Sequence, residues 1–220
     1  YPEKRNFTEF RKRVQLQYPV LNALGVNYGF ERDPLILNAN SDISTKMITV
    51  NLGKGQDDTE IYYTTNGTSP DRKAIKYTKA ITAKDSLNLK IAVLANGNDD
   101  NKFYYEREFK MSKSTAKKLN LKFSYNQSYP ANGDNTLVDG ILGTTNFRDG
   151  NWQGFEGNDL IAVIDLGTET EFSSISTGFL QSTPSWIFFP PQLEYFISKD
   201  GIEFRSIGIL TAPISPKDVE

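Results

Sequence analysis

The spacing of apolar residues changes along the chain, from a helical repeat at the start to a strand repeat later. Phe7, Phe10 and Val14 recur at helical spacing, Pro19 interrupts the pattern, and Gly25 closes it. We therefore predict a short N-terminal helix that the proline interrupts or kinks. An isolated amphipathic helix cannot cover its own apolar stripe, so this helix needs a partner surface.

From about residue 34 the repeat becomes two residues, which is typical of β-strands. Strands are predicted at 47–52, 60–65 and 87–95, the last with Leu, Leu, Ile and Val alternating against Asn and Lys. Asn66-Gly67 and Ser69-Pro70-Asp71 are turn signals between them. Short strands separated by such turns predict a small antiparallel sandwich.

The polar, basic segment SKSTAKK, at 112–118, separates this region from a second series of strands. Further strands are predicted at 119–124, 161–166, 175–180, 193–198 and 204–210. Asp200-Gly201 is a hairpin turn signal between the last two. This series is typical of a β jelly roll.

The composition excludes several kinds of chemistry. The 220 residues contain no cysteine and no histidine, which excludes disulfides, thiol nucleophiles, Ser-His-Asp triads and ordinary zinc sites. A net charge of −2 offers no basic surface to nucleic acid. No apolar run approaches the ~20 residues of a membrane span. We expect neither nucleic-acid binding nor membrane insertion.

Most candidate binding chemistry lies in one glycine-rich stretch, residues 129–167, which holds seven of the sixteen glycines. Such a stretch has little packing of its own, so a β scaffold must hold it while its side chains face outward. The pattern favours a binding surface over an isolated catalytic centre.

Three aromatic residues are candidates for a sugar-binding platform: Trp152, Phe155 and Trp186. A flat ring presents an apolar face to the C–H face of a pyranose and leaves the sugar hydroxyls to hydrogen-bond. Polar neighbours of Trp152 can bond those hydroxyls or an acetamido carbonyl: Arg148, Asn151 and Gln153. The alternative is that either tryptophan packs in the sandwich core.

Two short motifs stand near the start of the chain: the run Phe10-x-x-Arg13-Val14 and the tetrapeptide Gly25-Val26-Asn27-Tyr28. They resemble the final helix and exit of the catalytic barrel in bacterial glycoside hydrolase family 20 β-N-acetylhexosaminidases. IYYTTNGTSPDRKAIKY, followed by LKIAVLANG, resembles the immunoglobulin-like module behind that barrel in chitobiases.

The second half resembles the discoidin, or coagulation-factor type C, domain, also known as carbohydrate-binding module family 32. The resemblance rests on VIDLG, SWIFFPP and LEYFISKDGIEFRSIG, and NFRDGNWQGFEG is like the copies carried by those hexosaminidases. It implies a mostly β chain of three parts. These are a barrel-helix remnant at 1–30, an immunoglobulin-like sandwich at 31–112, and a galactose-binding-like jelly roll at 113–220. The last part is expected to be incomplete, because it ends before the usual closing strands.

The resemblance also implies a structural calcium held by Asp139 and Thr144, together with loop carbonyls. Calcium takes about six to eight oxygen ligands, and this loop can supply several of them. A carboxylate from a closing strand would normally complete the shell. The alternative is an Asp-Gly turn whose carboxylate caps its own backbone.

Family 20 enzymes use an adjacent Asp-Glu pair with the substrate's acetamido group, and no Asp-Glu dipeptide occurs in this sequence. The resemblance thus implies a non-catalytic accessory region of an exported, periplasmic or outer-surface hydrolase. Its expected partners are the parent catalytic domain and glycans ending in galactose or N-acetylhexosamine. The alternatives are purely structural sandwiches that brace the barrel, and a cell-surface adhesion module.

Overall fold

The computed structural model describes residues 6–26, 28–31, 33–95 and 98–211, without the side chains of 98–101. Four parts of the sequence predictions lie outside these residues: the first five positions, Asn27 of the proposed barrel exit, Asn96-Gly97 at the end of LKIAVLANG, and residues 212–220. The chain divides into two compact units, Tyr1–Lys110 and Met111–Glu220. Each unit is described by itself.

The N-terminal segment forms two consecutive helices, α1 (Phe7–Gln15) and α2 (Tyr18–Ala23), so the helical pattern is interrupted near Pro19, which is one of the two predicted alternatives. The Asn6 side chain caps α1 by accepting the Glu9 N–H at 3.1 Å. The break falls before Pro19, which lies in the first turn of α2. Proline fits there because the first turn does not use its missing N–H, so Pro19 begins a helix and does not kink one.

Two antiparallel sheets make up the rest of the first unit. The three-stranded sheet has the order β1-β2-β5, and its strands are β1 (Leu35–Asp42), β2 (Met47–Lys54) and β5 (Ile81–Ala83). The four-stranded sheet has the order β4-β3-β6-β7. Its strands are β3 (Thr59–Thr64), β4 (Ile75–Lys76), β6 (Leu87–Ala95) and β7 (Asn98–Phe109).

The core of the first unit lies between these sheets. Alternate residues of the central strands form this core, chiefly Ile48, Val50, Leu52, Leu89, Ile91 and Val93, together with Phe109, and near the end of β6 the intervening Ala92 and Leu94 are buried as well. This period of two is what a sheet with one buried face requires. The prediction of a mostly β, antiparallel, sandwich-like chain with a short N-terminal helical segment is confirmed.

A polar network attaches the helices to this sandwich. The Tyr18 ring stacks on Tyr28, with ring centroids 4.9 Å apart, and its hydroxyl donates to Glu31 Oε1 at 2.9 Å. Fully buried Gln56 accepts the Glu31 N–H at 2.9 Å and donates to Asp58 Oδ1, also at 2.9 Å. Each of these buried polar groups therefore has a partner, as burial requires.

The same network receives Arg11 of α1 and shifts the titration of its tyrosines. The Arg11 guanidinium lies 3.2 Å from the Glu31 carboxylate and also donates to the Gly55 carbonyl. Burial, followed by the hydrogen bond to Asp58, raises the pKa of Tyr28 to about 12. Burial and the nearby Glu31 raise the pKa of Tyr18 as well. The network thus fixes one face of α1 and α2 against the sandwich.

The second unit contains two antiparallel strand pairs. They are β8 (Lys118–Leu121) with β9 (Ala162–Asp165), and β10 (Gln192–Ile197) with β11 (Arg205–Thr211). The predicted turn joins the second pair: Asp200 Oδ1 accepts the N–H groups of Ile202 at 2.9 Å and Glu203 at 3.0 Å. These backbone hydrogen bonds lower the pKa of Asp200.

One predicted strand is not formed. Residues 175–180 have no strand assignment, although Ile175 and Leu180 carry the expected apolar side chains. A strand exists only where a neighbour supplies its ladder hydrogen bonds, and no described strand pairs with this segment. The prediction was wrong because it rested on side-chain alternation alone.

Among the described residues, no helix is both long enough and apolar enough to cross a membrane.

Candidate functional site

Trp152 anchors the glycine-rich loop of the second unit. Its indole N–H donates to the Thr144 carbonyl at 2.7 Å, and the side chain is partly buried. The ring lies so close to Gly143 that a Cβ there would sit 2.2 Å from the ring atom Cε2. The polar edge and one face of this ring are therefore engaged within the protein, so Trp152 positions the loop.

Asp149, which the sequence analysis did not single out, organises the turn around Trp152. Its Oδ2 accepts the Thr144 N–H at 2.6 Å and its Oδ1 accepts the Asn151 N–H at 2.8 Å. The next residue, Gly150, has a φ of +79°. The Asp-Gly dipeptide was the available signal, because aspartate readily bonds backbone two residues on and glycine accepts positive φ.

Arg148 is exposed at the tip of this loop. Its guanidinium carbon lies 4.7 Å from the centre of the Phe147 ring, and Phe147 meets Tyr129 edge-to-face at 6.2 Å. The stacked ring orients the guanidinium while its N–H groups remain accessible to solvent. The structure thus keeps Arg148 available as a donor and adds two aromatic supports that sequence spacing did not reveal.

The amide side chains beside Trp152 are largely used inside the loop. Asn151 Nδ2 donates to the Asp149 carbonyl at 3.0 Å, and Gln153 Nε2 donates to the Gly133 carbonyl at 3.0 Å. Gln153 Oε1 is buried and has no hydrogen-bond partner among the described residues. Phe155 is partly buried. These three predicted residues support the loop more than they extend from it.

Trp186 is the opposite case, because its side chain is 85% exposed. It sits at the tip of a loop that Ser182 and Ile187 close with reciprocal backbone hydrogen bonds of 2.9 and 3.1 Å. Its φ is 58°, in the left-handed region that bulky side chains rarely adopt. The exposed Phe188 ring meets it edge-to-face at 6.5 Å. A closed loop thus holds an indole in solvent despite backbone strain.

The structure does not gather all the predicted binding residues into one cluster. Arg148, Asn151, Trp152 and Gln153 share the loop around Asp149, whereas the ring contact described for Trp186 is with Phe188. Of the six, Arg148 and Trp186 present exposed groups to solvent.

The two predicted calcium ligands lie in turns whose oxygens already accept hydrogen bonds. Asp139 is 3% exposed; its Oδ1 accepts the Ile141 N–H at 2.7 Å and its Oδ2 accepts Asn132 Nδ2 at 2.6 Å. The Thr144 hydroxyl accepts the Asn146 N–H at 3.2 Å. No three acidic side chains come together in the described part of the chain. These contacts satisfy the turn without an ion, and an oxygen shell for calcium would have to share or displace them.

Comparison with known proteins gives one family. Residues 50–106, from β2 into β7, match the model of a family described as Fn3 associated. This domain occurs in the C-terminal regions of glycoside hydrolases. No curated protein matches the chain. The first unit therefore contains an Fn3-associated segment, of a kind that indicates an accessory domain of a larger protein.

Proposed function

We propose that this chain is a non-catalytic accessory region of an exported family 20 β-N-acetylhexosaminidase. In this proposal the second unit is a discoidin-like jelly roll that binds glycans ending in galactose or N-acetylhexosamine. The Fn3-associated segment supports an accessory role next to a glycoside hydrolase. The sugar specificity rests on the sequence resemblance to discoidin-type carbohydrate-binding modules.

The binding proposal rests on the solvent exposure of Trp186. Exposing an indole to water forgoes the free energy of burying it, and a positive φ at a bulky residue adds backbone strain. A closed loop that maintains both is expected where the ring has a ligand. Stacking on one aromatic residue contributes about 0.5–1.5 kcal/mol beyond area burial. We therefore expect weak binding that acts by raising the local concentration of glycan near the parent's active site.

In this proposal the remaining predicted residues divide their roles. Arg148 donates to sugar hydroxyls or to an acetamido carbonyl, because its N–H groups face solvent. Trp152 acts indirectly by holding the Arg148 loop through Thr144 and Gly143. Asn151, Gln153 and Phe155 stabilise the same loop.

The parent catalytic domain is the second proposed partner, bound through the helices. Three large apolar side chains on α1 and α2 are exposed, Phe7 at 75%, Phe10 at 54% and Val20 at 51%, although charged residues of α1 such as Glu9 and Lys12 are exposed as well. The face that carries Arg11 and Tyr18 is attached to the sandwich. Such an exposed apolar stripe is suited to packing against a neighbouring domain.

The binding proposal is tested by calorimetric titration of the chain with lactose, N-acetyllactosamine and N-acetylgalactosamine. Trp186→Ala is expected to weaken binding about tenfold, because the stacking face is lost. Phe172→Ala, which removes another exposed aromatic residue from the same unit, is the matched control and should bind like wild type. Equal affinity of the two variants, or no heat with any of these sugars, would contradict the proposal.

A structural role is the second candidate, and the internal use of the Asn151, Trp152 and Gln153 polar groups favours it. In that case both units brace the parent and bind no glycan. Deleting the second unit from the parent would then lower its unfolding temperature without changing its affinity for long glycans. The glycan-binding proposal expects the affinity to fall.

Calcium at the Asp139 turn stays a prediction. It expects that added Ca²⁺ raises the unfolding midpoint of the second unit relative to the chelated protein, and that Asp139→Asn abolishes this difference. Identical midpoints with Ca²⁺ and with chelator would leave Asp139 as the cap of its own turn.

A further inference from the structure

The outward face of the four-stranded sheet in the first unit carries a groove of about 300 Å³ that the proposed function does not use. We call it the Tyr104 groove. It is lined by Ser69 and Pro70 of the loop after β3, which we call its loop wall, by Lys90 and Ile91 of β6, and by Tyr104, Tyr105 and Glu106 of β7, which we call the opposite wall. All of these residues lie within the Fn3-associated segment.

The loop wall of the Tyr104 groove is fixed to the sheet. Pro70 is fully buried. Two residues further on, Arg72 donates to Glu60 Oε2 at 2.6 Å and to the Ala95 carbonyl at 2.7 Å. Ala74 packs on a small apolar cluster of the same face, formed by Tyr62, Ala92 and Leu94. The wall is therefore set before any ligand arrives, which reduces the entropy lost on binding.

The opposite wall offers an aromatic face. The outward positions at 102, 104, 106 and 108 on β7 are Lys, Tyr, Glu and Glu, so Tyr104 is the ring in an otherwise charged row. Its side chain is 50% exposed. Its cross-strand partner on β6 is Ala92, whose methyl group is too small to cover the ring. Part of the ring therefore stays open to a ligand.

On the same face as this ring, Lys90 offers a hydrogen-bond donor and Glu106 an acceptor. Glu106 Oε1 accepts Asn88 Nδ2 at 3.0 Å, and Glu106 Oε2 lies 3.8 Å from Lys90 Nζ. The opposite charges of Lys90 and Glu106 compensate each other, so neither a free anion nor a free cation gains a net attraction here. A neutral molecule with both hydroxyl donors and acceptors can use both groups.

We propose that the Tyr104 groove is a second saccharide-binding site, which takes a neutral segment of an oligosaccharide. The ring stacks on the C–H face of one sugar, Glu106 accepts a sugar hydroxyl, and Lys90 donates to another. The volume lies at the lower end of the range of about 300–1,000 Å³ for small-molecule sites, so one or two sugar rings fit. The site lies in a different unit from Trp186, so the inference rests on the proposed function and extends saccharide binding to the first unit.

The test is an NMR titration of the chain with N,N′-diacetylchitobiose and with tetra-N-acetylchitotetraose. We expect shifts of the backbone amides of Lys90, Tyr104 and Glu106, and a dissociation constant at least about fivefold higher in Tyr104→Ala. Tyr104→Phe should retain binding because it keeps the ring. Glu106→Gln should retain most of it, because a neutral ligand needs an acceptor there and not a charge.

Two variants serve as controls. Ile75→Ala removes a similarly exposed side chain, 56% accessible, from the edge strand β4 of the same sheet and should leave the shifts unchanged. Trp186→Ala should weaken binding in the second unit, so that its shifts need a higher sugar concentration, while those of the Tyr104 groove persist at the wild-type concentration. Failure of the second-unit site is thereby distinguished from failure of this one.

Three results would overturn the inference. They are no amide shifts at the groove with either sugar, equal affinities of Tyr104→Ala and Ile75→Ala, and loss of binding in Glu106→Gln to the same extent as in Tyr104→Ala. The last result would show that binding depends on the Glu106 charge, which a neutral saccharide that donates to a side-chain oxygen does not require.

Discussion

At the scale of single residues, the two tryptophans of this chain perform different tasks. The indole N–H of Trp152 has a backbone acceptor and its ring rests on Gly143, whereas the Trp186 ring extends into solvent from a closed loop. Trp152 therefore holds its loop in place, whereas Trp186 is exposed and can contact a ligand. The sequence does not separate these roles, because both tryptophans lie in segments that it predicts to be loops.

The contact between Gly143 and Trp152 gives a direct prediction. In Gly143→Ala the new methyl group would have to sit 2.2 Å from the indole, so the ring must move and its hydrogen bond to Thr144 weakens. Overpacking of this kind costs about 1–3 kcal/mol. We expect a lower unfolding midpoint of the second unit, measured by circular dichroism.

Gly178→Ala is the matched control for that change. A Cβ at Gly178 meets nothing within 4 Å and its φ is not positive, so the midpoint should stay at the wild-type value. An equal loss of stability in both variants would contradict the close packing of Trp152 on Gly143.

Sequence spacing predicted that this stretch is a loop, but not the hydrogen bonds and ring contacts within it. The glycine-rich stretch does present side chains and does contain an Asp-Gly turn. However, the position of the Trp152 ring depends on the Thr144 carbonyl, eight residues earlier, and on the absence of a Cβ at Gly143. Asp149 was missed for the same reason, since its role lies in the two N–H groups it accepts.

At the scale of elements, the polar network around Gln56 connects α1 and α2 to the sandwich. Gln56 is fully buried between the Glu31 N–H and the Asp58 carboxylate, and it bonds both. In Gln56→Ala these two partners lose their hydrogen bonds, and each unsatisfied buried group costs about 1–3 kcal/mol. We expect faster hydrogen exchange in α1 and α2, measured by mass spectrometry.

The control for this prediction is Asn51→Ala on β2, which removes an exposed amide from the same unit. It should leave exchange in both helices unchanged. If Gln56→Ala also leaves their exchange unchanged, the network does not hold the helices.

The strands differ in how well the sequence predicted them. The β6 range was predicted residue for residue because Leu, Leu, Ile and Val alternate with Asn and Lys in its first half and apolar residues continue to its end. By contrast β1 and β7 were missed: β1 is rich in Asn and Ser, and β7 has a charged outward row and an Arg on its inward face. Their strand structure comes from pairing with β2 and β6, which side-chain alternation does not report.

At the scale of the whole molecule, the chain comprises two units that differ in how their apolar residues are used. The strands of the first unit bury alternate side chains between two sheets, whereas every residue of β9 and β11 in the second unit is exposed. The sandwich could be predicted because apolar residues at every second position of a strand specify which face of the sheet is buried. The arrangement of the second unit could not, since it depends on which strands pair.

The unfolding free energy of the first unit should also depend on pH through Glu60. A hydrogen bond from Lys76, with further help from Tyr62 and the charge of Arg72, lowers the pKa of Glu60. A lowered folded-state pKa adds stability that is present above the ordinary value of 4.5 and is lost as the pH falls below it. We therefore expect the unfolding free energy of wild type to fall more steeply on acidification than that of Glu60→Gln.

The measurement is the unfolding free energy of both proteins, obtained by denaturant unfolding between about pH 3 and 7, where carboxylates titrate. Glu108→Gln on β7, which removes an exposed carboxylate paired with Lys110, is the control and should follow wild type. Parallel curves for wild type and Glu60→Gln would show that the Lys76 and Arg72 contacts do not stabilise the folded state.

The contrast between the two indoles gives the protein a built-in optical reporter. Because the chain has no other tryptophan, its ultraviolet emission is the sum of a shielded and a water-exposed component. Iodide should quench the longer-wavelength component selectively, and any molecule that covers Trp186 should protect that component while leaving the shorter-wavelength one unchanged. Occupancy of the second unit can thus be followed without a label.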